Sequence, residues 1–389
     1  MSHDNSPIEE LLRDALSSRA SAAPLGPDRT SVIDRARSIR RHRRQGFAAV
    51  TAAAVVAVVV PVSLTVGNGD GTKNPGPANH TTKPSPTQTA VPKTPRYTSL
   101  AQIPRGKDTA LAYVGPDGTV HEDGTDTPLP GGTESLTTFG EYRGNWVVQR
   151  DLKTQVYDGS GKVIDAGPSN SIKYSSDRTQ IAYQIDNTVF VSARSTMGNG
   201  GAQPLPAPKG SSLVGFLPDG PVVTDGSDSL TVLGPTRKKL PLPLLPMAVS
   251  QSTGLVAGIT GTPAQGNEEG AVTDPKTGAL LWHNGWEPHA FSDDGKYVLA
   301  TPFDNGDPSS YAILDARTGK VIARTPKLKG VHLGLQVGWD DDTAVFTAFG
   351  GVTKEAILTL DLKGNLTRAT DVAPLAKGQL NAYWLGAQP

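Results

Sequence analysis

The chain reads as all-β, a seven-bladed β-propeller over residues 96–389, and three observations predict it. Within that range apolar runs of four to six residues alternate with Asp/Gly/Pro turns, and no convincing 12-residue helical pattern interrupts them. Composition agrees: 43 Gly and 32 Pro against 3 Met and 8 Phe describe many turns and short elements rather than long packed helices. The turns also recur at a near-constant spacing, which is the mark of a repeat architecture.

Residues 290–323, AFSDDGKYVLATPFDNGDPSSYAILDARTGKVIA, give the clearest unit. They parse as a strand entering a D-D-G-K turn, a strand YVLATP, a loop, a strand YAILDA, an R-T-G-K turn and a final strand. Turns of the first type recur at Asp117-Gly118, Arg143-Gly144, Asp177-Arg178, Asp219-Gly220, Thr253-Gly254, Asp294-Gly295 and Asp341-Asp342. Their spacing averages about 37 residues, close to the 40 or so of a four-stranded blade, and seven turns imply seven blades. Turns of the second type recur at Ser160-Gly161, Thr277-Gly278, Thr318-Gly319 and Lys363-Gly364. A propeller is preferred to a sandwich because a single four-stranded sheet cannot bury both faces alone, whereas radial stacking buries them against neighbours. Ring closure is expected to use both ends of the domain, residues 97–103 and 380–385, since pairing them removes the last open edge. Trp146, Trp282, Trp286, Trp339 and Trp384 share no blade position and are expected in core and inter-blade packing.

FSDDGKYVLA followed by YAILDARTGKVIA resembles the repeat of WD40-like and TolB-type β-propellers. The resemblance implies that a D-G turn links the two inner strands and that a D-x-x-T-G-K turn precedes the outermost. It is good over residues 290–323, fair over 270–282 and 337–369, and blurred elsewhere. The Trp-Asp dipeptide that ends a WD40 repeat is absent, and Trp339-Asp340 stands at another phase. The N-terminal layout, described next, is similar to that of actinobacterial membrane proteins often encoded beside extracytoplasmic-function sigma factors. Zinc-type anti-sigma domains carry an H-x-x-x-C-x-x-C motif; with no Cys here, that role is not implied and no sigma-binding residue is carried over.

Residues 46–66, GFAAVTAAAVVAVVVPVSLTV, form the one long uncharged run, and about 20 such residues is what a helix needs to cross a bilayer. Arg40, Arg41, Arg43 and Arg44 stand immediately before it, with Arg35 and Arg37 further back, which holds the N-terminus in the cytoplasm and the C-terminal domain outside. A cleaved signal peptide is the competing reading, but a 45-residue lead is too long for an n-region and no clear A-x-A site follows. In the cytoplasmic tail, residues 1–45, Ser6-Pro7 with Glu9 reads as a helix start, and Ile8, Leu11, Leu12, Ala15 and Leu16 give that short helix one apolar face. Alone it is marginal in water, so it either docks on a partner or is transient. Residues 67–95, rich in Pro, Thr and Gly, cannot form a core and read as a disordered spacer.

Function is less legible. The 37 basic and 37 acidic residues balance, so nothing points to nucleic acid. No Cys means no thiol chemistry, Cys-ligated zinc or iron–sulfur cluster. The seven His are scattered without an H-x-x-x-H pair, and no G-x-S-x-G elbow, phosphate loop or D-x-D-x-D-G spacing occurs, Asp341 and Asp342 notwithstanding. Asp117, Asp219, Asp294 and Asp315 sit in turn formulas where they cap a bend. No catalytic, cofactor-binding or metal-ligating residue is assigned, and no cofactor. Residues 198–201 and Thr236-Arg237-Lys238-Lys239 read as surface loops, and Asn79 and Asn365 as weak glycosylation sequons. The insertions at residues 261–270 and 303–310 fall at matching positions in adjacent blades, between second and third strands. They are expected to project side by side from one face, where recognition usually lies, although solvated slack explains either alone. The preferred reading is a single-pass membrane protein presenting the propeller outside as a binding or scaffolding module for an unknown protein or envelope ligand. An envelope-sensing role with a cytoplasmic partner at the N-terminal helix fits the layout. The alternative is a membrane-anchored hydrolase or lyase acting on an envelope glycan or peptide; a third reading is a structural envelope protein.

Overall fold

The computed structural model describes residues 96–389 apart from residues 123, 152, 169–170, 194–201, 235, 262–267, 304–309 and 377–378. The predicted tail, membrane span and spacer, residues 1–45, 46–66 and 67–95, lie outside the described residues. Among the described residues no helix is long and apolar enough to cross a membrane.

Seven antiparallel sheets stand around a central axis, and their strands are named a to d from the inside out. Blade 1 is Trp384–Leu385, Tyr113–Val114, Thr119–Glu122 and Thr125–Pro128. Blade 2 is Leu136–Tyr142, Asn145–Arg150, Lys153–Tyr157 and Val163–Pro168; blade 3 is Ile172–Tyr174, Gln180–Ile185, Thr188–Ala193 and Gln203–Pro206. Blade 4 is Ser212–Leu217, Gly220–Thr224, Ser229–Val232 and Lys238–Pro241; blade 5 is Leu245–Val249, Val256–Thr260, Glu269–Asp274 and Ala279–Asn284. Blade 6 is Trp286–Phe291, Tyr297–Pro302, Ala312–Asp315 and Val321–Arg324. Blade 7 is Val331–Asp340, Thr343–Gly350, Lys354–Leu360 and Leu366–Arg368, with Ala373–Pro374 adding a further pairing to its c strand. The protein is a seven-bladed propeller.

Most of the predicted turns fall where the repeat placed them. Asp294-Gly295 joins the a and b strands of blade 6, and Thr318-Gly319 precedes its d strand. Ser160-Gly161, Thr277-Gly278 and Lys363-Gly364 are likewise cd turns. Asp117-Gly118 is the exception: it joins the b and c strands of blade 1, because that blade takes its a strand from the other end of the domain. The blade count survives, since three N-terminal strands and one C-terminal strand make a whole sheet.

Closure therefore uses residues 384–385, where Tyr113 pairs with Leu385 and Val114 with Trp384. The other expected closing piece, residues 97–103, is not a strand. Leu100–Gln102 is a 3₁₀ turn, and Leu100 and Ile103 are buried with Trp339, Phe346 and Leu358 of blade 7. Residues three apart share a face in such a turn and oppose each other in a strand, so this spacing docks a turn.

Cores form between blades. One joins Leu299, Tyr311 and Ile313 of blade 6 to Trp339, Phe346 and Leu358 of blade 7; another joins Val148 and Phe139 of blade 2 to Val114 and Trp384 of blade 1. The five Trp pack as expected, four buried and Trp146 half-buried against the core. Close approach also sets composition: a Cβ on Gly270 would lie 1.6 Å from the Trp286 carbonyl oxygen, so only Gly lets blades 5 and 6 meet there. The a strands of blades 2, 4, 5, 6 and 7 each carry a bulge, at Leu136/Thr138, Leu213/Gly215, Pro246/Ala248, Pro288/Ala290 and Leu333/Val337. An extra residue there sharpens the twist and re-aims side chains at the axis end of the sheet.

Candidate functional site

The strand order puts ab and cd turns at one end of the ring and bc and da connections at the other. At the turn face, carboxylates are consumed by their own backbones. Asp177 Oδ1 accepts from Ser175 Oγ at 2.6 Å and Thr179 N at 3.0 Å, and Asp315 Oδ1 accepts from Arg317 N, Thr318 N and Thr318 Oγ1. Asp361 takes both the backbone N–H and the side-chain amide of Asn365. Hydroxyl bonds, from Ser175 to Asp177 and from Ser160 to Asp158, hold those two carboxyls below the ordinary carboxylate range. At Asp294 partial burial opposes the shift, and bonds from Lys296 and Ser292 outweigh it. These groups have folded pKa values below the unfolded value, so their stabilisation is present above about pH 4 and lost as pH falls through the folded values. Thermal unfolding measured from pH 7 to pH 2.5 is expected to show a Tm that falls steeply below about pH 4. Asp177→Asn, which keeps an acceptor and removes the titration, should flatten that slope.

The channel is closed at this turn face by two layers. Arg178, in the ab turn of blade 3, crosses to blade 7 and donates from Nη2 to the Trp339 carbonyl oxygen at 3.0 Å, with Nε 3.5 Å from Asp293 Oδ2 of blade 6. Burial raises the Asp293 carboxyl, with Arg178 opposing and Asp341 adding to the rise. Ser176 N donates to Gln251 Oε1 of blade 5 at 2.8 Å. Above this bridge runs the chain that follows the closing strand. Ala387 N donates to Phe139 O of blade 2 at 2.6 Å, and Gln388 O accepts from Tyr174 N of blade 3 at 3.2 Å. On the opposite side a Cβ on Gly338 of blade 7 would lie 2.5 Å from Gln388 Cδ, so the missing side chain is what admits Gln388. Residues 386–388 thus bond to the a strands of blades 2 and 3 and lie against Gly338 of blade 7, forming a floor.

The other end carries the bc and da connections, of which residues 169–170, 262–267, 304–309 and 377–378 lie outside the described residues. An a strand is covered on both faces by neighbouring blades and on its outer edge by strand b, so exposure on it means exposure to the channel or its mouth. Leu335 is 75% exposed, Thr137 is exposed, and Lys173 and Met247 are half-buried. Around the same end Leu245, Val352 and Leu380 are exposed, in the first residue of an a strand, the bc turn of blade 7 and the connection into blade 1. Among the described residues four exposed large apolar side chains thus stand at this end, the other four, Val163, Ile164, Leu280 and Ile322, lying on outer d strands, while capped turn carboxylates occur at both ends, Asp117 and Asp225 being in bc turns here.

Lys173 is the group that reading the sequence missed. Ile172 and Tyr174 pack with Val147 and Ile181 toward blade 2, so the alternation of the strand turns Lys173 toward the a strand of blade 4 at the channel edge. Burial lowers its ammonium pKa, and no charged group acts on it. A signal existed: Ile-Lys-Tyr is a two-sided apolar strand with one lysine in it, and both faces of a propeller strand are expected to be apolar.

Other sequence candidates fall as follows. Both insertions are bc connections on the bc/da face, between Val256–Thr260 and Glu269–Asp274 and between Tyr297–Pro302 and Ala312–Asp315. Residues 262–267 and 304–309 within them lie outside the described residues. Thr236 and Arg237 are exposed in the cd turn of blade 4, where Arg237 donates to Pro206 O at 2.7 Å, and Lys238 and Lys239, also exposed, begin its d strand. A shallow hollow of about 630 Å³ at Arg150, Lys153, Gln155 and Pro168 lies on blade 2. The Arg150 guanidinium there already serves Pro130 O, Gly132 O, Gln155 and Tyr157, so it is a staple of the blade. Residues 198–201 lie outside the described residues, in the cd connection of blade 3.

No family model and no curated protein matches the chain. Among solved structures, dihydro-heme d1 dehydrogenase NirN in complex with DHE is similar over 74% of this chain and 69% of its own, with 15% identity and a TM-score of 0.43. The β-propeller domain of Myceliophteria thermophila Cps50 (Swd1) is similar over 62% of this chain and 86% of its own, with 10% identity and a TM-score of 0.34. A functionally unknown protein from Desulfotomaculum acetoxidans is similar over 68% and 99%, with 11% identity and a TM-score of 0.43. These likenesses concern the fold and bring no ligand to this chain.

Proposed function

We propose that this protein is a binding or scaffolding module whose recognition face is the bc/da end of the propeller. A single helix at residues 46–66 anchors it, with the propeller outside the cell and residues 1–45 inside. The observation that carries the binding reading is the asymmetry of the ring. Its turn face is sealed by Arg178 and residues 386–388, while its other face carries exposed Leu245, Leu335, Val352 and Leu380. Exposed apolar side chains grouped on one face are typical of interaction sites, and loops on a rigid scaffold are where recognition lies. The uncharged run and the arginines before it support the anchor. With a short amphipathic helix inside and a propeller outside, the layout suits envelope sensing relayed to a cytoplasmic partner.

The absence of native cysteine makes the topology testable. Full-length variants Ser2→Cys and Ser252→Cys are treated in intact cells with a membrane-impermeant maleimide. Labelling of Ser252→Cys alone is expected, with the protein retained in carbonate-washed membranes and released when residues 46–66 are deleted. Equal labelling of both positions, or a protein that stays soluble with the run intact, would contradict the anchored reading.

A further inference from the structure

We propose that the blade 7 sector of the bc/da end docks on the headgroups of an anionic lipid bilayer, with Arg96, Lys327, Lys329 and Lys354 as the contacting cations. This rests on the anchored reading of residues 46–66 and adds how the propeller stands on that membrane. Backbone contacts bring the four cations onto one patch. Arg96 N donates to Lys327 O at 2.9 Å and Lys329 N to Tyr97 O at 3.0 Å, so residue 96 lies beside the connection from blade 6 to blade 7. Gly351 N donates to Gly330 O at 3.3 Å, which brings the bc turn of blade 7 against the same connection, and Lys354 opens the c strand that follows the turn. All four cations are exposed. The segments that build the patch, residues 96–107, 325–339 and 343–354, contain no Asp or Glu.

The other blades differ at this end. Six of the seven bc connections carry a carboxylate, at Asp117, Asp151, Asp186, Asp225, Glu268 and Asp304, whereas residues 351–353 of blade 7 carry none. An anionic surface is therefore drawn to one sector of the ring and turned away from the tips of the others, which orients the propeller as well as binding it.

The tether points the same way. Twenty-nine residues, 67–95, separate the uncharged run from Arg96. A chain of that length spans about 30 Å as a flexible coil and about 90 Å as extended polyproline. Either span ends at the patch, so the patch is the part of the propeller presented to the bilayer at the highest effective concentration. Each Lys or Arg near an anionic membrane strengthens attachment about fivefold. Their long stems reach the headgroups while the backbone stays above them, so Leu335 and Val352 remain available to a partner that lies at the membrane.

The test uses the full-length chain, which has no native cysteine, in vesicles of phosphatidylcholine alone or mixed with phosphatidylglycerol. Thr353→Cys, in the patch, and Asp219→Cys, in an ab turn at the opposite end, are each labelled with a fluorophore, and a lipid with a nitroxide on its headgroup serves as quencher. Expected are quenching of the patch label that is several-fold stronger with phosphatidylglycerol and reversed by high salt, and weak, equal quenching of the Asp219→Cys label in both vesicles. Lys327→Gln/Lys329→Gln/Lys354→Gln should cut the docked-to-free ratio by roughly a hundredfold, at about fivefold per lysine, with an unchanged Tm. Equal quenching of the patch label in both vesicles, or stronger quenching of the Asp219→Cys label instead, overturns the proposal; if the chain is still retained after a carbonate wash, the anchored reading stands. A chain that inserts in neither vesicle removes both. Charge-independent quenching, together with discrete protein crosslinks from Thr353 in cells that the triple variant loses, assigns the patch to an acidic protein and not to lipid.

Discussion

Glu355→Ala is expected to destabilise the propeller by about 3–5 kcal/mol, from two buried N–H donors left without an acceptor at about 1–3 kcal/mol each, with lost packing adding to it. Glu355 is fully buried on the c strand of blade 7, and its Oε2 accepts from Ala382 N and from Tyr383 N, the latter at 3.2 Å. Those two residues lead directly into Trp384–Leu385, the strand that closes the ring. The closing ladder holds only two residue pairs, Tyr113 with Leu385 and Val114 with Trp384. Closure therefore leans on its flanks: on Glu355, on Tyr383 Oη donating to Asp371 O at 2.8 Å, and on Leu385 N donating to Gln336 Oε1 at 2.8 Å. Urea unfolding checks the magnitude, and hydrogen exchange checks the mechanism. Residues 382–388 should lose protection before the other inner strands. Glu355→Gln, which keeps an acceptor, should recover most of the loss.

Trp339→Ala is expected to cost about 3–5 kcal/mol by a different route, a cavity in the wall of the ring. Trp339 is 1% exposed, lies 6.3 Å from the ring of Tyr297 in a stacked pair, and donates from Nε1 to Ala290 O at 3.3 Å across the blade 6 and blade 7 boundary. Truncation empties the largest of the fully buried side-chain volumes and leaves that carbonyl without its donor. Closure contacts are untouched. The urea midpoint should therefore fall while exchange at residues 382–388 remains in step with the global transition, which separates this variant from Glu355→Ala. Trp339→Phe should cost less, losing the hydrogen bond and part of the volume.

How far these features were legible in the sequence depends on how local their causes are. The ab and cd turns were readable because each is set within a few residues. Asp294 binds Ser292 Oγ and Lys296 N, and Asp315 binds three groups two or three residues on. The unit at residues 290–323 shows its strands for the same reason. Asp117 was assigned to the wrong turn because a bc turn and an ab turn share chemistry. Only the pairing of Tyr113 with Leu385, across almost the whole domain, fixes the phase. Residues 97–103 misled for a related reason: an apolar end next to a β domain reads as a strand, while the Leu100 and Ile103 spacing favours a turn docked under blade 7.

The floor of the channel was hidden altogether. It is built from single atoms on blades 2 and 3, joined to Ala387 and Gln388 by contacts that no window of sequence contains. Lys173 was overlooked because a lysine in a short strand is ordinarily a solvated edge residue. Its weight comes only from knowing that both faces of that strand are covered. The bc/da face was partly foreseen, since the matching placement of the insertions at residues 261–270 and 303–310 put both connections at one end.

The central claim is that recognition takes place at the bc/da end of the ring. It is tested most directly by a photocrosslinking amino acid placed singly at Leu335, Val352 and Leu380, and at Asp177, Asp219 and Asp342 on the sealed end, in the full-length protein in its own cells. The account predicts discrete crosslinked products from the first three positions and none from the second three. Discrete products confined to Asp177, Asp219 and Asp342 would contradict it.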